Sequence, residues 1–283
     1  MILVTGATGK VGSELIKVLQ ARKATFQALA HSDGSAQKLT EQGITVKRGS
    51  LDQPQAIRAA LQGIETVFLL SPSAVEQAQI ENSVIDLAKQ AGTSRVVKLS
   101  VYDASYPNPA LAGHGAVEAH LKASGLVYTI LQPNYFMQNF IVNDAPTISQ
   151  NSAIFAPTGD AKLSFVDVRD IAEVAAIVLT EPGHDNQTYE ITGSAAYSFA
   201  EVTALLTRSL GKPIQHIDLP SDAYRDALLK AGLADWYADL LQQLFAYYHD
   251  GHAARISPDI QRVTGHTAHT LSAFFDEHKT AFQ

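Results

Sequence analysis

Three glycines within the first twelve residues carry the plainest chemistry in the sequence. Thr5-Gly6-Ala7-Thr8-Gly9-Lys10-Val11-Gly12 spaces them G-x-x-G-x-x-G, directly after the apolar run Ile2-Leu3-Val4. Gly6 suits a tight turn, Gly9 lets the backbone approach a pyrophosphate, and Gly12 lets a helix lie close on a strand. A helix opening here turns free N–H groups and a positive dipole end toward phosphates. The loop therefore predicts a dinucleotide site formed by Gly6, Thr8, Gly9, Lys10, Val11 and Gly12. A plain glycine-rich turn shares this composition; what separates the two is whether the chain continues as alternating strands and helices.

A proton donor for chemistry beside such a dinucleotide is harder to find. The Tyr-x-x-x-Lys pair, in which lysine lowers the tyrosine pKa, is missing. The residues four beyond the ten tyrosines are Tyr106, Ala110, Gln132, Asn139, Gly193, Glu201, Leu228, Leu241, Gly251 and His252. A sugar epimerase or alcohol dehydrogenase of that mechanism is disfavoured. His114 and Glu118 stand four apart on a helical pattern and share a face. His114 is a candidate proton donor, with a His–Glu surface pair as the plainer alternative. Hydride transfer to an electron-poor ring mainly requires closeness and alignment. Asn134, Tyr135 and Phe136 follow an apolar run and suit a stacking wall, with Tyr135 and Phe136 against the substrate. Core packing is their alternative, strongest for Phe136. Tyr135 and His114 are thus the candidate catalytic residues. His249-x-x-His252 and His266-x-x-His269 hint at a metal, but no carboxylate-rich site accompanies them and none is expected. Zero cysteines exclude disulfides, thiolate metal sites and cysteine nucleophiles.

The elements that must position these residues alternate through the first half. Short apolar runs at 2–4, 26–29, 44–46, 67–70, 96–99 and 126–131 suit strands buried on both faces. Helical patterns separate them, the clearest at 54–62, 75–91 and 114–124. Such alternation predicts an α/β fold, a Rossmann-type doubly wound parallel sheet. Further on, helices are expected at 168–179, 223–231, 237–248 and 271–278, and a strand at 189–191. Ser198-Phe199-Ala200-Glu201 reads as a capping box opening a helix to Leu210. The expected division is a dinucleotide-binding domain over 1–133, with 157–192 returning to it, and a smaller helix-rich C-terminal substrate lobe over 193–283 plus 134–156. The 283 residues are 46% hydrophobic with a net charge of −7, which excludes a disordered chain and offers no basic nucleic-acid footprint. No apolar run suits a membrane span and no signal peptide is visible, so a cytoplasmic protein is expected, monomer or homodimer.

The T-G-A-T-G-x-x-G opening resembles the atypical short-chain dehydrogenase/reductases of the NmrA-like family. Gly43-Ile44-Thr45-Val46 running into Gly49-Ser50-Leu51-Asp52 agrees, as do the segments 124–133, Phe136-Met137-Gln138-Asn139 and Asp167-Val168-Arg169-Asp170-Ile171-Ala172. The likeness spans nearly the whole chain and is strongest to the bacterial quinone oxidoreductase and triphenylmethane reductase branch. It implies a Rossmann fold, a dinucleotide and a small aromatic substrate such as a quinone or dye. The group also contains redox-sensing regulators that bind NADP(H) without catalysis, which stand as the alternative. The resemblance puts Asp52 at the adenine edge, where helix capping is its other reading. His31 takes the place of the arginine usual in these reductases, and Gln132 that of another arginine. His31 and Ser32 end the second strand with no acid directly there, and Lys10 and Lys38 add charge nearby, which favours NADP(H) over NAD(H); Asp33 argues the other way. Leu70, Ser71 and Pro72 at the fourth strand end are expected near the nicotinamide ribose. Ser100, Pro133 and Asn134 complete the expected cofactor set.

Overall fold

The computed structural model describes residues 1–283. The chain divides into two compact units, the first comprising Met1–Ser105, Gly113–Gln132 and Ile171–Tyr189. It opens with β1 (Ile2–Val4), all three residues of which are buried. Next, α1 (Lys10–Ala21) buries Val11, Gly12, Leu15, Ile16 and Leu19, the stripe of an amphipathic helix. Then follow β2 (Phe26–Ala30), α2 (Asp33–Glu41), β3 (Thr45–Arg48), α3 (Pro54–Ala60), β4 (Thr66–Leu69), α4 (Gln77–Gln90) and β5 (Arg95–Leu99). After these come α5 (Pro109–Ala123) and β6 (Val127–Pro133).

Seven strands form one sheet in the order β3-β2-β1-β4-β5-β6-β8, where β8 is Gln187–Ile191. The pairings from β3 through to β6 are parallel. This is the predicted doubly wound sheet. The order reverses between β1 and β4, and ligands of open α/β sheets bind beyond the strand carboxyl ends at such a switch point. The glycine loop leaves β1 there. Leu3, Val67, Leu69, Val84, Ile85, Val96, Val117 and Ile130 share one core.

The second unit comprises Tyr106–Ala112, Pro133–Asp170 and Glu190–Gln283. A π-helical turn, Phe140–Asp144, runs into α6 (Ala145–Asn151). β7 (Ala153–Phe155) pairs in parallel with β9 (Gln215–Ile217). The helices are α8 (Phe199–Leu210), α9 (Ser221–Lys230), α10 (Asp235–His249), α11 (Asp259–Thr264) and α12 (Leu271–Glu277); α7 (Val168–Thr180) begins in this unit and continues in the first. The Ser198–Glu201 capping box forms as predicted: Glu201 N–H donates to the Ser198 hydroxyl at 3.2 Å, and Ser198 N–H to the Glu201 carboxylate at 2.8 Å. Outside the sequence expectation lie α2, the π turn with α6, the β7–β9 pair, α11 and a closing 3₁₀ turn, Lys279–Phe282. Each is short, and short segments carry little periodicity.

Candidate functional site

The glycine loop meets the steric demands that its spacing implies. Gly6 has φ +65°, the left-handed region, and a Cβ there would stand 2.8 Å from Leu70 Cγ. A Cβ on Gly12 would lie 2.1 Å from the Gly6 carbonyl oxygen, a backbone atom. Gly9 is the N-cap of α1, with no side-chain cap and no acidic residue in the first turn. No acidic side chain opposes an anion at the opening of α1. The Thr5 hydroxyl donates to the Leu70 carbonyl at 2.8 Å and accepts from its N–H at 2.8 Å, tying β1 to the end of β4. Sequence reasoning missed Thr5, although a hydroxyl at a strand end was the available signal. Thr8 and Lys10 lie on the exposed side of the loop, and partial desolvation of the Lys10 ammonium lowers its pKa. Val11 is only 2% exposed, so its side chain belongs to the core and only its backbone can serve a ligand. A depression of about 130 Å³ brings Lys38 of α2 beside Thr8 and Ser13.

At the ends of β2 and β3 the sequence reading needs amendment. His31 is exposed. Ser32 is the N-cap of α2 and its hydroxyl accepts from Ser35 N–H at 3.2 Å, so helix capping occupies it. Asp33 pairs with Arg48 at 3.0 Å. Arg48 stands opposite Ala30 in the sheet register, which sets a guanidinium beside the end of β2. Sequence reasoning passed it over because Arg48 is 17 residues from His31 in the chain. Asp52 is exposed and does not cap α3; its N-cap is Gln53.

Behind the ends of β4 and β5 lies a buried polar network. Lys98 Nζ is 2.9 and 2.8 Å from the two carboxylate oxygens of Glu81, and both side chains are completely buried. Ser71 donates to Glu81 at 2.7 Å. Burial pulls the Lys98 pKa down, and Glu81 pulls it back up. Glu118 accepts from Ser100 at 2.6 Å, Gln132 at 2.8 Å and Lys122 at 3.3 Å. The alternative reading, a His114–Glu118 surface pair, is not what forms: Glu118 is 4% exposed and turns to strand-end residues. His114 Nε2 lies 3.3 Å from the Gln77 amide nitrogen, and Nδ1 is closed to water without a partner. Burial, then the Lys98 charge, lowers the His114 pKa to about 3, so its imidazole is neutral at physiological pH. Pro72 is exposed and Leu70 half-buried.

In the second unit, Pro133 and Asn134 are buried. The Asn134 side chain donates to Ser164 at 2.8 Å and to the Ala253 carbonyl at 2.9 Å, and accepts from Tyr135 N–H at 2.9 Å. Its polar capacity is spent on the unit's own structure. Tyr135 packs edge-on against Phe165 at 5.3 Å and Tyr248 at 6.0 Å between ring centres, with Phe140 tilted at 5.9 Å. Burial pushes its phenol pKa well up. Phe136 is half-buried, with a backbone bridge to Val166. The histidine pairs diverge. His252 meets the Tyr106 hydroxyl at 2.9 Å, His249 faces Asp250 at 3.5 Å, and His269 meets Asp170 at 2.6 Å. His266 Nδ1 lies 3.1 Å from the Thr267 carbonyl.

The profile of the NmrA-like family matches residues 1–277. The chain belongs to the NmrA-like family. The chain is 34% identical to an NAD(P)H azoreductase of Xenophilus azovorans over 284 residues, covering 100% of this chain and 99% of the relative. It is 32% identical to quinone oxidoreductase 2 of Escherichia coli, covering 96% of each. A crystal structure of an NADPH-dependent quinone oxidoreductase from Escherichia coli, complexed with NADPH, superposes with a TM-score of 0.91 at 31% identity, over 99% of this chain and 100% of that one. NmrA-like membership agrees with the Rossmann-type sheet and with the glycine loop at its switch point.

Proposed function

We propose that this chain is an NAD(P)H-dependent reductase of small aromatic acceptors, a quinone or an azo or related dye, working by direct hydride transfer. The observation that carries the reading is the glycine loop at the switch point: Gly6 left-handed, Gly12 seated on the Gly6 carbonyl, and an α1 opening without side-chain cap or acid. That cradle fits a pyrophosphate. The names of the azoreductase and quinone oxidoreductase relatives support the same class.

When bound, the dihydronicotinamide supplies the hydride. The residues proposed to hold the dinucleotide are Gly6, Thr8, Gly9, Lys10, Gly12 and the backbone of Val11 at the loop. His31 with Arg48 would face the adenosine ribose, Asp52 the adenine edge, and Leu70, Ser71, Pro72 and Ser100 the strand ends. Arg48, Lys38 and His31 favour a 2′-phosphate, so NADP(H) is preferred to NAD(H). A guanidinium takes phosphate oxygens bidentately. Ser71 and Ser100 are oriented by Glu81 and Glu118, which fixes the lone pairs that their hydroxyls offer. His114, neutral, serves as a hydrogen-bonding group and not as a cationic acid. Tyr135 and Phe136, which follow β6, are the residues proposed to contact the acceptor, and the Asn134 side chain holds that segment through Ser164 and Ala253 after Pro133.

The test mixes the protein with NADPH and a panel of quinones and azo dyes and follows loss of the nicotinamide absorbance. Turnover with NADPH exceeding that with NADH is expected. Tight NADPH binding with no turnover of any acceptor would overturn the reductase reading.

A further inference from the structure

Two side chains of opposite charge face each other where β2 ends. In a doubly wound dinucleotide fold an acid at this place suits the ribose 2′-hydroxyl of NAD, and an arginine suits the 2′-phosphate of NADP. Here both are present. β2 ends at Ala30, and Asp33 is the first residue of α2. Arg48, the last residue of β3, stands opposite Ala30 in the register. Arg48 Nη1 lies 3.0 Å from Asp33 Oδ1, and both side chains are open to solvent. The glycine loop, β2, α2 and β3 belong to the same compact unit. The other polar groups nearby are weaker grips for a phosphate. The Ser32 and Ser35 hydroxyls are taken up by the α2 cap, at 3.2 Å from Ser35 N–H and 3.1 Å from Ser32 N–H respectively. His31 is exposed, and an imidazole lacks the planar fork of donors that a guanidinium offers. Lys38 lies further along α2, in the depression with Thr8 and Ser13. Arg48 is thus the side chain best built to take phosphate oxygens in pairs. Its contact with Asp33 engages one nitrogen of that fork.

We infer that Asp33 sets the nucleotide choice of this chain, because its carboxylate and a 2′-phosphate compete for Arg48. The inference rests on the proposed reading of the glycine loop as a dinucleotide cradle with Arg48 at the adenosine ribose. When the ribose carries a free 2′-hydroxyl, Arg48 stays with Asp33 and the charges at the end of β2 are already matched. When it carries a 2′-phosphate, the guanidinium turns to the phosphate oxygens and Asp33 is left unpaired beside a second anion. An exposed ion pair is weak, and a bidentate contact with a dianion outweighs it. NADPH therefore binds better than NADH, but by less than an unopposed Arg48 would allow. Asp33 limits the preference without reversing it, which keeps both nucleotides usable.

The experiment is calorimetric titration of the full-length protein with NADPH and NADH, and with adenosine 2′,5′-bisphosphate and adenosine 5′-monophosphate. The two fragments differ by the 2′-phosphate alone and report on the adenosine end without the nicotinamide. Asp33→Asn should tighten NADPH and the bisphosphate by about three- to tenfold, since it frees Arg48 and removes a competing charge. NADH and the monophosphate should stay within about twofold of the wild type, because neither carries the group at issue. Arg48→Met should lose most of the discrimination between the fragments. Adding Asp33→Asn to Arg48→Met should move the bisphosphate by less than about twofold, because the remaining exposed charge is screened. Both positions lie on the surface, and circular dichroism checks that each variant is folded. Equal changes for NADPH and NADH in Asp33→Asn would overturn the inference and leave the cradle reading standing. So would a full gain for the bisphosphate in the Arg48→Met background, which would make Asp33 act independently of Arg48. Failure of the wild type to bind NADPH, NADH or either fragment would remove the cradle reading and the inference together.

Discussion

The Lys98–Glu81 pair offers the sharpest check on how the strand-end network is held. Both side chains are completely buried, with Nζ at 2.9 and 2.8 Å from the carboxylate oxygens. Lys98→Met would leave Glu81 with the Ser71 hydroxyl as its remaining polar partner. Breaking a buried pair from one side costs about 3–5 kcal/mol, because the surviving charge keeps its desolvation penalty. A typical domain has only about 5–15 kcal/mol in all. Glu81→Leu should cost a similar amount, since the Lys98 ammonium would retain only the Leu99 carbonyl. The double variant, Lys98→Met with Glu81→Leu, removes both charges together and should fall within about 1–2 kcal/mol of the wild type. The assay is urea unfolding at neutral pH followed by circular dichroism, read as a double-mutant cycle. Losses that simply add, about 6–10 kcal/mol in the double variant, would refute the argument that uncompensated charge is the cost. A second reading comes from nuclear magnetic resonance. The Lys98 charge helps to hold His114 down at about 3, so the His114 pKa should rise in Lys98→Met provided the fold is retained. No movement would mean that burial alone sets it.

Three further outcomes are expected. Gly9→Asp should fold but lose dinucleotide affinity in calorimetry, because a carboxylate at the α1 opening repels a pyrophosphate; Gly12→Ala should fail even to fold normally, because its Cβ meets the Gly6 carbonyl at 2.1 Å. Arg48→Glu should cut NADPH affinity at least tenfold while sparing NADH, and His31→Arg should strengthen NADPH; equal effects on both cofactors would place the 2′-phosphate elsewhere. The folded-state pKa of Asp144 stands at about 7 against 3.8, so the folded protein holds an extra proton between those values. That contribution to stability is complete below pH 3.8 and is lost as pH rises through 7. With each pKa unit near 1.4 kcal/mol, Asp144→Asn should therefore gain on the wild type by up to about 4 kcal/mol between pH 4 and 8 in chemical unfolding, and a constant gap would contradict the burial of this carboxyl.

What the sequence determined by itself is local or periodic. The glycine loop, the alternation of strands and helices and the Ser198–Glu201 box were legible because each is written over a few residues whose geometry is fixed by backbone sterics and hydrogen bonding. The position of Tyr135 just past β6 was likewise legible, because Pro133 closes the apolar run that forms that strand. The chemistry of the buried side chains was not. The i,i+4 spacing of His114 and Glu118 suggested a pair, yet the fold sends Glu118 to Ser100 and Gln132, which arrive from the ends of other strands. Ser32, expected to offer a hydroxyl to the cofactor, caps α2, while Arg48 came beside the end of β2 only through sheet register. Asp144 has no motif around it, and its raised proton affinity comes from burial alone. Burial, register and the distance between residues remote in the chain are properties of the packed structure. Desolvation then sets the proton affinity of each enclosed group, which is why residue type and spacing outlined the glycine loop but left the proton chemistry to the tertiary fold.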